Sequence, residues 1–256
     1  MLKIIGSAAL AASLVLASAS SAFSAENTAP APQSAVAAAT APALPAPVTA
    51  PEPAPAPEFG LPHAHEHDHG SGLAPGQTPA DFRAWLARSP VNRAQLESFR
   101  SRLAAEGVED IVPLWQLVRT SSSWRQCGAQ PFEVAPADKW DNIVTTLKFV
   151  RDQVVPAVGR VEALSAYRNE SLNACSAGAP RSAHRMFFAL DLTPVSDSVT
   201  RETMIRGICV AHARNGRGYN AGLGFYTGKR FHVDSSGFRK WGPNGSGATS
   251  PCVTYS

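Results

Sequence analysis

Residues 222–241 read GLGFYTGKRFHVDSSGFRKW, two short runs joined by a glycine-containing turn. GLGFYTG and KRFHVDSSG have the length, the aromatic and β-branched content and the glycine and serine borders of strands. Side chains alternate across a strand, so Phe231 and Val233 fall on one face while His232 and Asp234 share the other. A sheet carrying an imidazole and a carboxylate on one side and apolar residues on the opposite side is thereby expected.

Working outward, FFALDLTPV (187–195) and RVEALSAYR (160–168) read as two more strands, and in the first of these Phe187, Ala189 and Asp191 share one side. The segment from Ser196 to Gly216 has a serine cap region and apolar spacing at Met204, Ile205, Ile208, Cys209 and His212, which predicts a helix. A longer helix is predicted over 138–159, apolar at Trp140, Ile143, Leu147, Val150 and Val154, and ended or kinked by Pro156. TPADFRAWLARS, PVNRAQLESFRSRLAAEG and VEDIVPLWQLVRT predict three short helices before it. The fold class is therefore α+β: a small antiparallel sheet with helices packed around it and an N-terminal helical extension.

The first 25 residues place Lys3 before the run IIGSAALAASLVLAS and then small residues, the order of a secretory signal peptide. The run is short for a bilayer span. Residues 26–77 are an Ala/Pro-rich linker with little to bury, and a histidine tract, PHAHEHDHG (62–70), lies near its far end. Residues 78–125 form the helical extension and 126–256 the main domain. Such a chain is expected in the periplasm or secreted, as a monomer, without stable membrane insertion once the signal is removed.

The formal charge is +3, from 23 basic and 20 acidic residues; the first 58 residues hold Lys3, Glu26, Glu52 and Glu58, leaving a mild basic excess beyond them. Basic clusters interleaved with aromatics are missing, which argues against nucleic acid. A mild excess does suit an anionic polymer such as a cell wall. Four cysteines in an exported chain favour two disulfides. Sequence does not fix their pairing; of the three connectivities we prefer Cys127–Cys175 with Cys209–Cys252, because the latter ties the C-terminal tail to a helix.

The chemistry gathers in SAHRMFFALD (182–191) and RFHVD (230–234). A catalytic zinc site needs three converging His, Cys, Asp or Glu side chains and an open position. His184, leading into the second strand, Asp191 and His232 could supply that set; spacing alone favours a surface histidine and a capping aspartate over a metal site. His212 reads as a packed or capping histidine, Trp241 as core, and Tyr226 as a candidate groove residue.

Together SAYRN, SAHRMFFALD and GLGFYTGKRFHVDSSGFRKW resemble the zinc murein peptidase family of D-Ala-D-Ala carboxypeptidases and murein endopeptidases, related to hedgehog-type domains. The family pattern runs SxYR, SxHxxGxAxD, and a GxGxY hairpin ending in HxD before RxW. The resemblance spans about residues 160–241 and implies Zn2+ held by His184, Asp191 and His232, with peptidoglycan as substrate. It also implies that Arg168 faces the substrate, pairing with a carboxylate or stabilising an oxyanion. Two positions depart from the pattern. Phe187 stands at the usual glycine, and Lys229 stands where many members place a general base, leaving Asp234 to act either as base or as the partner that orients His232. The runner-up reading is an inactive, zinc-containing wall-binding module, and a third makes the histidine tract the functional, metal-binding part.

Overall fold

The computed structural model describes residues 73–255. The expected signal peptide, the expected linker up to residue 72 and the histidine tract lie outside the described residues. Helix α1 (Pro79–Ala87) starts at a reciprocal cap, in which Thr78 accepts from the Asp81 backbone while Asp81 accepts from the Thr78 backbone. Ser89 caps α2 (Pro90–Ala105) in the simpler way, and both helices carry proline in the first turn, where its missing N–H leaves no bond unmade.

The third short helix expected at 108–120 does not form. Pro113 has no N–H to give to a continuing helix, and the segment instead closes separate turns, Gln116 N to Pro113 O at 2.8 Å and Leu117 N to Leu114 O at 3.1 Å. These turns still bury Val108, Val112 and Leu117. The long helix does form, as α3 (Trp140–Phe149), a π-helical stretch (Val150–Val154) and α4 (Val155–Val158). Helical structure continues two residues past Pro156, to Val158, and the π-helical turn just ahead is where the ladder accommodates its ring.

Strands β1 (Val161–Ser165), β2 (Ala189–Pro194), β3 (Gly222–Phe225), β4 (Phe231–Asp234) and β5 (Arg239–Trp241) form one sheet in the order β1-β2-β4-β3-β5. Between them come α5 (Glu170–Cys175), after β1, and α6 (Arg201–Asn215), after β2. All strand pairs are antiparallel except β3 with β5, which run parallel. That edge corrects the fully antiparallel sheet expected from sequence: the chain passes through the Ser235–Phe238 bend and returns on the far side of β3.

Strand alternation separates the two faces as expected. Leu190, Leu192, Leu223, Phe225, Phe231 and Val233 join one buried cluster with Ile143, Leu147, Val150, Val154, Met204 and Ile208 from the helices. Phe99 and Leu103 of α2 belong to that same cluster. Burying these side chains contributes about 1.5–3 kcal/mol each and fixes the register, because a slip by one residue would carry the polar set into the core. Asp191, His232 and Asp234 consequently point out of the opposite face.

The disulfides join Cys127 to Cys175 and Cys209 to Cys252, the preferred pairing. They point to a location outside the reducing cytoplasm. Among the described residues no helix is long and apolar enough to cross a membrane.

Candidate metal centre

The β2–β4 register sets Asp191 directly opposite His232, and Ser165 of β1 lies beside Asp191 on its other flank. His184 arrives from a 3-10 turn (Ala183–Met186) capped by the Ser182 hydroxyl. The three side chains meet. His184 Nε2 lies 3.3 Å from Asp191 Oδ1 and 3.2 Å from His232 Nδ1, and His232 Nδ1 lies 3.1 Å from Asp191 Oδ1. All three residues are buried, and among the described residues they form a group with metal-ligand spacing.

The outer hydrogen bonds decide what these atoms offer one another. His184 Nδ1 donates to the Ala166 carbonyl at 2.6 Å, so Nε2 turns a lone pair inward. His232 Nε2 donates to Asp234 Oδ2 at 2.9 Å, so Nδ1 does likewise. Three acceptors then face one point at about hydrogen-bond distance, an arrangement that requires a cation between them, either a proton or a metal ion. The spacing also accommodates a metal ion: a tetrahedral ion with arms of about 2.0–2.1 Å separates its ligand atoms by roughly 3.3–3.4 Å. A histidine ligand whose second nitrogen is tied to a carbonyl or carboxylate is the usual support for such a site.

Electrostatics assign the protons. Burial holds the His184 imidazole down to about 4, with the Arg168 charge pressing the same way, so it is neutral near pH 7. Burial also opposes a charge on His232, but its hydrogen bonds to Asp191 and Asp234 outweigh that and raise its pKa. Asp191 would be pushed up by burial, yet the surrounding His184, Arg230 and Arg168 hold it well below the usual carboxylate range.

Around these three side chains lies a shell that the sequence reading covered only in part. Arg168, which lines the pocket, donates from Nε to Ser165 Oγ at 3.0 Å and from Nη2 to Asp191 Oδ2 at 2.5 Å. Arg230 was missed altogether. Its Nη2 donates to Asp191 Oδ2 at 2.9 Å and its Nη1 to Ser122 Oγ at 3.1 Å. Arg230 precedes His232 by two residues and so shares its face of the sheet, a signal already present in the alternation. Tyr226 donates to Asp191 Oδ1 at 3.0 Å; burial first, and then the Asp191 charge, raise the pKa of its hydroxyl.

Asp234 stands behind His232, on the far side of the ring from the ligand cluster, and also accepts from Arg239 Nη2 at 2.7 Å and the Ser236 amide at 2.8 Å. Of its two possible roles, this geometry fits the one that orients His232. The glycines of GLG make the arrangement possible: a Cβ on Gly222 would collide with the Asp234 carboxylate, and one on Gly224 with the Trp241 indole. Trp241 is not the core residue expected. It is half-buried, packs against His232 at 4.9 Å between ring centroids and lines the pocket.

Phe187 resolves differently from expectation as well. It lies before β2, at φ +59° and ψ +32°, the left-handed conformation for which glycine is the natural choice. Its ring turns into the core beside Phe99 and Tyr167, not into the pocket. His212 is packed as expected, donating from Nε2 to the Ala221 carbonyl at 2.8 Å and stacked on Phe238.

The cluster opens into a cavity of about 720 Å³ whose walls include Arg168, Arg181, Tyr226, Arg239, Lys240 and Trp241. Among its described lining residues none is a carboxylate. Lys229, at the position where a base was sought, faces Asp197 at 3.9 Å on the surface. Compared with protein-family models, curated proteins and solved structures, the chain has no match.

Proposed function

We propose that this chain is a zinc-dependent peptidase that hydrolyses peptide bonds of peptidoglycan stem peptides or crosslinks, acting in the periplasm or outside the cell. The observation that carries the reading is the convergence of His184, Asp191 and His232, three inward-facing acceptors 3.1–3.3 Å apart at the floor of an open, cation-walled cavity. The motif resemblance over residues 160–241 supplies the reaction class.

Two neutral imidazoles and one carboxylate are the donor set of a hydrolytic zinc site. Zinc bound there would acidify a water molecule and polarise a carbonyl. The chain's own residues do the remainder. Asp234, fixed by Arg239 and Ser236, holds His232 in the tautomer that turns Nδ1 inward; the Ala166 carbonyl does the same for His184. Arg168 and Arg230 together pin Asp191 through Oδ2 and leave Oδ1 for the ligand cluster. Arg168, with Arg181 and Lys240 on the wall, suits the carboxylates of a stem peptide.

One observation favours a second reading, a zinc-containing wall-binding module without activity: no carboxylate lines the described pocket to accept the proton of an attacking water. Incubating the purified chain with sacculi, with and without chelator, and resolving muropeptides by mass spectrometry separates the two. Chelator-sensitive release of fragments is expected. Retention on sacculi without new fragments would favour the binding module.

A further inference from the structure

We infer that the Tyr226 hydroxyl is a further catalytic group of this site, donating a hydrogen bond to the carbonyl oxygen of the scissile bond as that oxygen gains charge. The inference rests on the peptidase reading. It starts from position: the Tyr226 hydroxyl is 3.0 Å from Asp191 Oδ1, the same oxygen that sits 3.1 Å and 3.3 Å from the two histidine nitrogens. A donor is thus already aimed at the point where the ligand cluster meets the cavity.

The ring is held in place. Its backbone N–H donates to the Arg230 carbonyl at 3.2 Å, continuing the β3–β4 pairing, and its face lies 5.2 Å from the Arg230 guanidinium. Tyr226 is half-buried and lines the cavity, so one edge meets the core of the site and the other the ligand space. Its hydroxyl proton can swing between Asp191 and the cavity by rotation about the Cζ–O bond, without moving the ring. Once the Asp191 lone pair is engaged by a cation, the hydroxyl is released to donate elsewhere.

Apart from Arg168, the donors named on the cavity wall are committed or exposed. Arg239 is bonded through both Nη atoms to Asp234, Lys240 donates to the Cys252 carbonyl at 3.2 Å, and Arg181 and Thr227 are exposed at the rim. Arg168 has spent two of its three nitrogens on Ser165 and Asp191. A donor fixed beforehand in a partly dry site stabilises developing charge without reorganising, which is why such groups matter to rate far more than to substrate binding. Tyr226 keeps its proton throughout, so the proton balance of hydrolysis is unaffected.

The test uses the full chain loaded with zinc and its Tyr226→Phe variant. Zinc affinity should be retained or tightened, because the variant removes a competitor for Asp191 Oδ1. On the muropeptide that the wild type cleaves, kcat should fall about 100-fold or more with KM little changed, the scale for removing one such donor. A phosphinate analogue of the bond shown to be cut, whose tetrahedral oxygens mimic the charged state, should bind more weakly by a similar factor, while the product peptide binds as before. Wild-type kcat, or a fall in kcat with phosphinate affinity unchanged or zinc lost, would overturn the role given to Tyr226. A wild-type chain that binds zinc yet cleaves no muropeptide would overturn the peptidase reading itself, and Tyr226's role with it.

Discussion

Phe187 combines two opposing contributions that can be separated by substitution. Deleting its buried ring, which touches Phe99 and Tyr167, should cost about 3–5 kcal/mol, the usual loss for a core phenylalanine. Its left-handed backbone carries a penalty of about 1–2 kcal/mol that any Cβ-bearing residue retains. Phe187→Ala therefore loses the ring and keeps the strain. Phe187→Gly loses the ring and sheds the strain, against roughly 0.5–1 kcal/mol of extra backbone entropy in the unfolded chain. The glycine variant should end up more stable than the alanine variant by about 1 kcal/mol, the reverse of the order at an ordinary site. Urea unfolding of zinc-free protein, compared at equal slope, measures this directly. Both variants should bind zinc within a few-fold of wild type, since the ring faces the core. An alanine variant more stable than the glycine one would show that residue 187 is not held left-handed, and the account of this departure from the family pattern would fail.

Asp234→Asn should weaken zinc binding about 10 to 100-fold, the scale for loss of a histidine's supporting partner; at saturating zinc the rate should stay within a few-fold of wild type, and its abolition would make Asp234 the base instead. Arg168→Ala should retain zinc, because Arg230 still holds Asp191, and lose about 100-fold or more in rate; an unchanged rate would remove Arg168 from the substrate's surroundings. His212 has its pKa lowered, first by burial, and prefers to be neutral in the fold. Its contribution to stability is therefore full above its unfolded value of about 6.5 and is lost as pH falls below that, because the unfolded chain takes up the proton more readily. His212→Gln should flatten the decline of the urea midpoint between pH 7 and 5 relative to wild type, and an identical slope in the two proteins would contradict the assignment.

Much of the site was legible because strand alternation is a strict rule. Once FHVD and ALD were read as strands with Leu190, Leu192, Phe231 and Val233 inward, Asp191, His232 and Asp234 had to share the outer face. Helical spacing placed α1 and α2 in the same way, and the structure starts them at the Thr78 and Ser89 caps. What escaped depended on tertiary partners. The segment 108–118 has apolar spacing that fits a helix and a core turn equally well, and Pro113 decided between them. Strand β5 is three residues long and carries too little pattern to be read locally; it exists because Gly222 and Gly224 leave room for Asp234 and Trp241 to lie across β3. Phe187 resembled an obstruction in the pocket, since a sequence gives residue type but not the sign of φ. Arg230 was overlooked for another reason: alternation puts it on the His232 face, but a lone arginine there declares no role until its carboxylate partner, 39 residues away, is known.

The central claim is that His184, Asp191 and His232 alone hold the metal, and bound zinc per chain in protein lacking residues 62–70 tests it most directly. Removing the histidine tract takes away a second possible chelator while leaving the sheet and its ligands in place. The account predicts one zinc per chain in this shortened protein and none when His184→Ala is added, with the fold retained by circular dichroism, because three ligands at an open site leave no redundancy. One equivalent of zinc still bound in the shortened His184→Ala protein, or none in the shortened protein with His184 intact, would contradict it.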